Sequence, residues 1–113
     1  MLSNPIHIWG NSTKDYIYIE DVIDILFRLL KLNYTGIVNI GSGKCYSISD
    51  ILKMVNKHLQ VNCIFEPTKE FDTCYVSLDV SKLLSLIGDY TFTPLDNGID
   101  KTIKWYILNR DKI

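Results

Sequence analysis

Residues 36–50 read GIVNIGSGKCYSISD, and this stretch decides the fold class. Gly36-Ile37-Val38-Asn39-Ile40 has the apolar, β-branched character of a short buried strand and runs directly into Gly41-Ser42-Gly43. Ser47, with Asp50 three residues later, spells a capping box at the head of a helix. Strand, glycine turn and helix in that order are the unit of an α/β domain. The helix carries Ile51, Leu52, Val55 and Leu59 on one face and Lys53, Asn56 and Lys57 on the other, and is expected to end near Gln60.

Upstream, residues 6–9 (IHIW) alternate and residues 15–19 (DYIYI) are aromatic and β-branched, so the two predict strands joined as a hairpin through Gly10–Thr13. From Glu20 to Leu32, Val22, Ile25, Leu26, Leu29 and Leu30 follow helical spacing. Ile23 and Phe27 widen the stripe so far that the helix is expected to pack on more than one side. Downstream lie an extended piece at 61–65, a polar turn at 68–72 and a strand at 73–78. Asp79 is the expected N-cap of a helix over 80–87 with Gly88 at its C-terminal end. A last helix opens at Thr93-Pro94-Leu95-Asp96, with threonine as cap and proline at the first helical position, and buries Leu95, Ile99, Ile103 and Ile107 or Tyr106.

These elements amount to a small mixed α/β domain of about four helices and short strands, one domain over residues 1–113. A dinucleotide-binding half plus a substrate domain needs roughly 250 residues, so a complete two-domain enzyme is not expected. With 12 basic and 13 acidic residues there is no broad field to hold a nucleic acid or an anionic membrane. Asp24, Arg28 and Lys31 interrupt the longest apolar stretches, and the N-terminus has no secretory pattern, so a soluble, cytoplasmic protein is expected. Cys45, Cys63 and Cys74 are odd in number and lack a CxxC spacing, which argues against both a zinc ribbon and a disulfide framework.

Gly41-Ser42-Gly43-Lys44 invites a phosphate-loop reading, but Val38 stands where that motif needs its first glycine and Cys45 where it needs Ser or Thr. Tyr46 stands where a dinucleotide fingerprint needs its third glycine. The glycines read instead as a tight turn that lets 39–43 pass close to neighbouring backbone. His7 and His58 have no second ligand at metal spacing, and no metal site is expected. There is no GxSxG elbow and no Tyr-x-x-x-Lys pair, so no catalytic residue is assigned.

The order IHIWG, KDYIYIEDV, GIVNIGSGKCYSISDIL, Pro67 with KEFD, SLDVSKL with Gly88, and FTPLDNGIDKTIKWY resembles the C-terminal part of the NAD-dependent epimerase/dehydratase family. These are extended short-chain dehydrogenases that include nucleotide-sugar epimerases and 4,6-dehydratases. The resemblance runs from Pro5 to Tyr106. It implies a substrate-binding lobe that closes over a nucleoside-diphosphate sugar. Lys14, before Asp-Tyr, takes the position of a diphosphate ligand, and Lys69, three residues before Asp72 and ten before Asp79, takes the second. His7 and Trp9 fall on the strand that borders the base. Both cationic positions are usually arginine in the family, and lysine keeps the charge but loses the planar bidentate fork.

The resemblance also implies NAD(P) for the full enzyme. That cofactor would be bound mainly by a dinucleotide-binding domain that, with the catalytic pair, would lie upstream of Met1, so no cofactor is expected for this chain alone. The implied partners are the nucleotide sugar and either the missing domain or further copies of the chain. The alternative is a non-catalytic truncated module that acts through protein association.

Overall fold

The computed structural model describes residues 5–67 and 74–112. In chain order the elements are β1 (Ile6–Trp9), β2 (Thr13–Asp15), α1 (Ile19–Lys31), β3 (Cys45–Ser47), α2 (Ile48–Asn56), β4 (Cys63–Glu66), α3 (Ser81–Ile87) and α4 (Leu95–Asn109), followed by a 3-10 turn at Arg110–Lys112. The result is a small mixed α/β domain of four α-helices and short strands, as the sequence predicts.

The strands pair differently from the expected hairpin. β1 lies parallel to β4, with Ile6 opposite Cys63 and Trp9 opposite Glu66, while β2 runs antiparallel to β3. β1 and β2 are consecutive in sequence but belong to separate two-stranded sheets. The second strand is shifted rather than merely shortened: it is Thr13–Asp15, sharing only Asp15 with the expected 15–19, and Tyr16–Tyr18 lead into α1 at Ile19. Residues 36–40, expected as a strand, join no ladder among the described residues. Val38 and Ile40 nonetheless pack on the core as extended chain. The strand expected at 73–78 reduces, within the described residues, to one parallel bridge between Thr13 and Tyr75.

The core lies between α1 and α3, where Ile25 and Leu83 are fully buried beside Leu29. Ile17, Val80, Leu86 and Phe92 pack around them. α1 does not bury several sides. Its inward stripe is Asp21, Ile25 and Leu29, whereas Ile19, Ile23, Leu26, Phe27 and Leu30 are exposed. The buried stripe expected for α4 fades along the helix in the same way. Leu95, Ile99 and Ile103 are half-buried, but Tyr106 and Ile107 face outward.

Three helix ends show how local signals fare. The capping box is present: the Asp50 amide donates to Ser47 Oγ at 3.1 Å and the Ser47 amide to Asp50 Oδ2 at 3.0 Å. α2 then stops at Asn56, short of Gln60. At α3 the helix starts at Ser81 and the cap residue is Val80 rather than Asp79, which lies one residue earlier and accepts from the amide and hydroxyl of Ser81 (2.9 and 2.6 Å); Gly88 ends the helix with φ 82°, a conformation that favours glycine. At α4, Pro94 rather than Thr93 is the cap residue, and the Thr93 hydroxyl that would have capped the helix instead donates to Asp21 at 2.9 Å.

Candidate functional site

The β2–β3 ribbon sets Thr13 opposite Ser47, Lys14 opposite Tyr46 and Asp15 opposite Cys45. Side chains alternate along strands, so Lys14 and Tyr46 share one face and Asp15 and Cys45 the other. The Asp15 face is tied inward. One carboxylate oxygen of Asp15 accepts from the Ser42 amide and hydroxyl at 2.9 and 2.7 Å, and the second accepts from the Gly43 amide at 2.8 Å. Cys45 Sγ donates to the Val76 carbonyl at 3.4 Å.

The anion held by the glycine turn is therefore the chain's own Asp15. A Cβ on Gly41 would stand 2.8 Å from Asp15 Oδ2 and 2.7 Å from Leu78 Cδ1, so the close approach expected here is to side chains, not to backbone. Gly43, with φ 78°, supplies the left-handed residue of the turn. The turn does not fit as a pyrophosphate cradle, because Asp15 engages its amides.

On the opposite face Lys14 is exposed, and Tyr16, Lys44 and Tyr46 line a cleft of about 580 Å3 whose far wall is residues 90–96. That wall is fixed to α1 through the buried Asp21, which accepts from the Thr93 amide at 2.8 Å and the Thr93 hydroxyl at 2.9 Å. Tyr90 donates to Asp24 at 2.9 Å. Burial first, then the bond to Asp24, pushes the Tyr90 phenol up to about 12. A second cleft of about 640 Å3, between the start of α1 and α4, is walled by Tyr18, Ile23, Ile99 and Trp105. Lys101 sits 5.7 Å from the Tyr18 ring there.

His7 and Trp9 lie two residues apart on β1, both exposed, and the His7 ring is bonded through Nδ1 to the Glu66 carboxylate. Lys69 and Asp72 lie outside the described residues, so of the five expected site residues the structure describes His7, Trp9 and Lys14. His58 links α2 to α4 through Asp96 at 3.1 Å and Asp100 at 3.4 Å. Hydrogen bonds from His58 and then Lys57 hold the Asp96 carboxyl below its usual range. Among the described residues no cluster of three or more His, Cys, Asp or Glu is placed to hold a metal ion. All three cysteines are free, and no described helix is long and apolar enough to cross a membrane.

Sequence reasoning missed Asp15 and Asp21. The available signal for Asp15 was an acid on a short strand together with a Gly-Ser-Gly turn rich in free amides. Asp21 carried none beyond its place on the inward stripe of α1.

No protein-family model matches the sequence. Its relatives and structural neighbours, however, are NAD-dependent epimerases and dehydratases of nucleotide sugars, matched over their C-terminal portion. The dTDP-4-dehydro-6-deoxyglucose reductase of Escherichia coli is 31% identical over 107 residues, which cover 88% of this chain and 33% of the enzyme. Among solved structures, the UDP-glucose 4-epimerase of Thermotoga maritima, determined with UDP-glucose, superposes with a TM-score of 0.78 at 20% identity, covering 94% of this chain and 36% of that one. The UDP-glucuronic acid 4-epimerase of Bacillus cereus, determined with NAD, is 26% identical with a TM-score of 0.68, over 90% of this chain and 35% of that one. The chain thus spans about a third of the length of these relatives.

Proposed function

We propose that this chain is the nucleotide-sugar-binding lobe of an NAD-dependent sugar epimerase or dehydratase. Lys14 and Lys69 would hold the diphosphate with Asp72 nearby, and His7 and Trp9 would border the base. The observation that carries the reading is the match of about nine-tenths of the chain to enzymes named for nucleotide-sugar substrates. Lys14 adds local support, being exposed and without an acidic partner among the described residues. An ammonium left uncompensated suits a phosphate better than a structural ion pair does.

The lobe binds and orients, and it carries no catalytic residue of its own. NAD(P) in the whole enzyme would supply the hydride chemistry from a separate dinucleotide-binding domain. The glycine turn of this chain, filled by Asp15, is not its seat, so no step is assigned to it here. The free cysteines fit a cytoplasmic setting.

Calorimetry with UDP, dTDP and GDP at low ionic strength tests the reading. Saturable binding that a Lys14→Ala, Lys69→Ala double variant loses is expected. A folded chain that binds none of the three would refute it. A second reading, a non-catalytic module acting through association, draws on the exposed Ile23, Leu26, Phe27 and Leu30 of α1. It requires self-association in chromatography with light scattering, and a monomer at high concentration counts against it.

A further inference from the structure

We propose that Lys44 is a third ligand of the diphosphate beside Lys14 and Lys69, acting with Lys14 across Tyr46, and that Tyr16 and Tyr46 wall the space for the group attached to it. This rests on the nucleotide-sugar reading and extends it to residues that the sequence alone did not single out for that role.

The β2–β3 register places Lys14 opposite Tyr46, and Lys44 precedes Tyr46 by two residues. Residues two apart on a strand share a face, and diagonal neighbours across an antiparallel pair lie about 7–8 Å apart. Lys44 stands just before β3, and it lines one cleft with Tyr16 and Tyr46, so it continues the alternation of that strand on the side where Lys14 is exposed. Two flexible ammonium stems at that separation can converge on one diphosphate.

The local backbone is held for this purpose. Ser42 Oγ, which donates to Asp15, also accepts from the Lys44 amide at 3.2 Å. Asp15 and Ser42 thereby couple the residue after Lys14 to the residues before Lys44.

Charge points the same way. Lys57 reaches Asp96, Lys82 reaches the Ile37 carbonyl and Lys104 reaches Asp100. Among the described residues neither the Lys14 nor the Lys44 ammonium group has an acceptor. Like charges brought together on one face of a ribbon cost stability in the free protein, and an anion bound between them relieves that cost. The cleft beside them, lined by the phenol rings of Tyr16, Tyr46 and Tyr90 and with about 580 Å3, has room for a ring next to the phosphates.

The test is calorimetry of the full chain with inorganic pyrophosphate and with UDP, on the unmodified protein and on Lys14→Ala, Lys44→Ala, Lys44→Arg and Tyr46→Leu. Lys53→Ala, on the exposed side of α2, is the control for net charge. Thermal unfolding of each variant confirms that it is folded. Lys44→Ala should weaken both ligands by about tenfold or more, the scale of a lost hydrogen bond to a charged group. Lys44→Arg should retain binding, and Lys53→Ala should change it less than about twofold. Tyr46→Leu should weaken UDP more than pyrophosphate.

If Lys44→Ala matches the Lys53→Ala control while Lys14→Ala still weakens UDP, the role of Lys44 is overturned and the nucleotide-sugar reading stands. If pyrophosphate binds through Lys44 but UDP binds no more tightly than pyrophosphate, the lysine pair stands and the nucleotide part falls. A folded chain that binds neither ligand overturns both.

Discussion

Replacing Asp15 by asparagine exchanges one carboxylate oxygen for an NH2 group where the β2–β3 ribbon meets the glycine turn. The carboxylate accepts three hydrogen bonds, from the Ser42 amide, the Ser42 hydroxyl and the Gly43 amide. In Asp15→Asn one oxygen becomes a donor, so one of the two backbone amides faces another N–H. The loss is one charge-assisted bond plus the cost of an unsatisfied amide. Discounted because Asp15 is only half-buried, this comes to about 2 kcal/mol. Asp15→Ala removes all three acceptor contacts and should cost about 3–4 kcal/mol. Against a total of roughly 5–15 kcal/mol these are large fractions. Urea unfolding should show a lower midpoint at unchanged slope, and the melting temperature of Asp15→Asn should fall by about 8 °C, at some 4 °C per kcal/mol. Formate should restore part of the stability of Asp15→Ala and none of that of the unmodified chain, because only the variant leaves the turn's donors open. An Asp15→Asn chain within about 0.5 kcal/mol of the parent, the range of ordinary surface changes, would refute the claim that this carboxylate organises the ribbon.

Gly41→Ala should destabilise by about 1–3 kcal/mol in denaturant unfolding, because its Cβ would meet Asp15 and Leu78 at under 3 Å. The lowered Asp96 carboxyl gives the acid limb its sign. The stability it contributes is present above the ordinary carboxylate range and is lost as pH falls through the lowered folded value, so Asp96→Asn should approach the parent's stability only in strong acid. Tyr90 acts at the other end of the scale. Raised to about 12, its phenol contributes stability that is complete below the unfolded value of about 10 and is lost as pH rises through about 12. Tyr90→Phe should flatten that alkaline limb in pH-dependent unfolding curves.

What could be read from the sequence was set by range. The Ser47–Asp50 capping box and the Gly88 stop each depend on neighbours within a turn or two, and both are present, whereas of the stripe expected on α1 Ile25 and Leu29 are buried and Leu26 and Leu30 are exposed. The hairpin failed because β1 finds its partner at β4, far along the chain, and no turn residue at 10–13 announces that. Thr93 has the sequence of a cap, but its hydroxyl is taken by the carboxylate of Asp21, 72 residues away. The site divides along the same line. Lys14 came from the resemblance and is exposed on β2, but the companionship of Lys44 with Tyr16 depends on strand register, which the Asp15 contact with the glycine turn supports. Lys69 and Asp72 came from resemblance and stay outside the described residues.

The parallel pairing of β1 with β4 has a consequence for how the molecule breathes. It makes residues 10–62 a closed loop whose ends meet in a ladder of four residue pairs. Closing a loop of that length costs about 3.5 kcal/mol in chain entropy by the logarithmic rule, against a short ladder that supplies little in return. Ile6, Ile64 and Phe65 leave much of their surface in water, whereas Ile25 and Leu83 on α1 and α3 have none exposed. The ladder is then the unit that opens first while the helical body stays folded. Amides of β1 and β4 should exchange with solvent well before those around Ile25, and the strand carrying His7 and Trp9 should be the most adaptable border of the site.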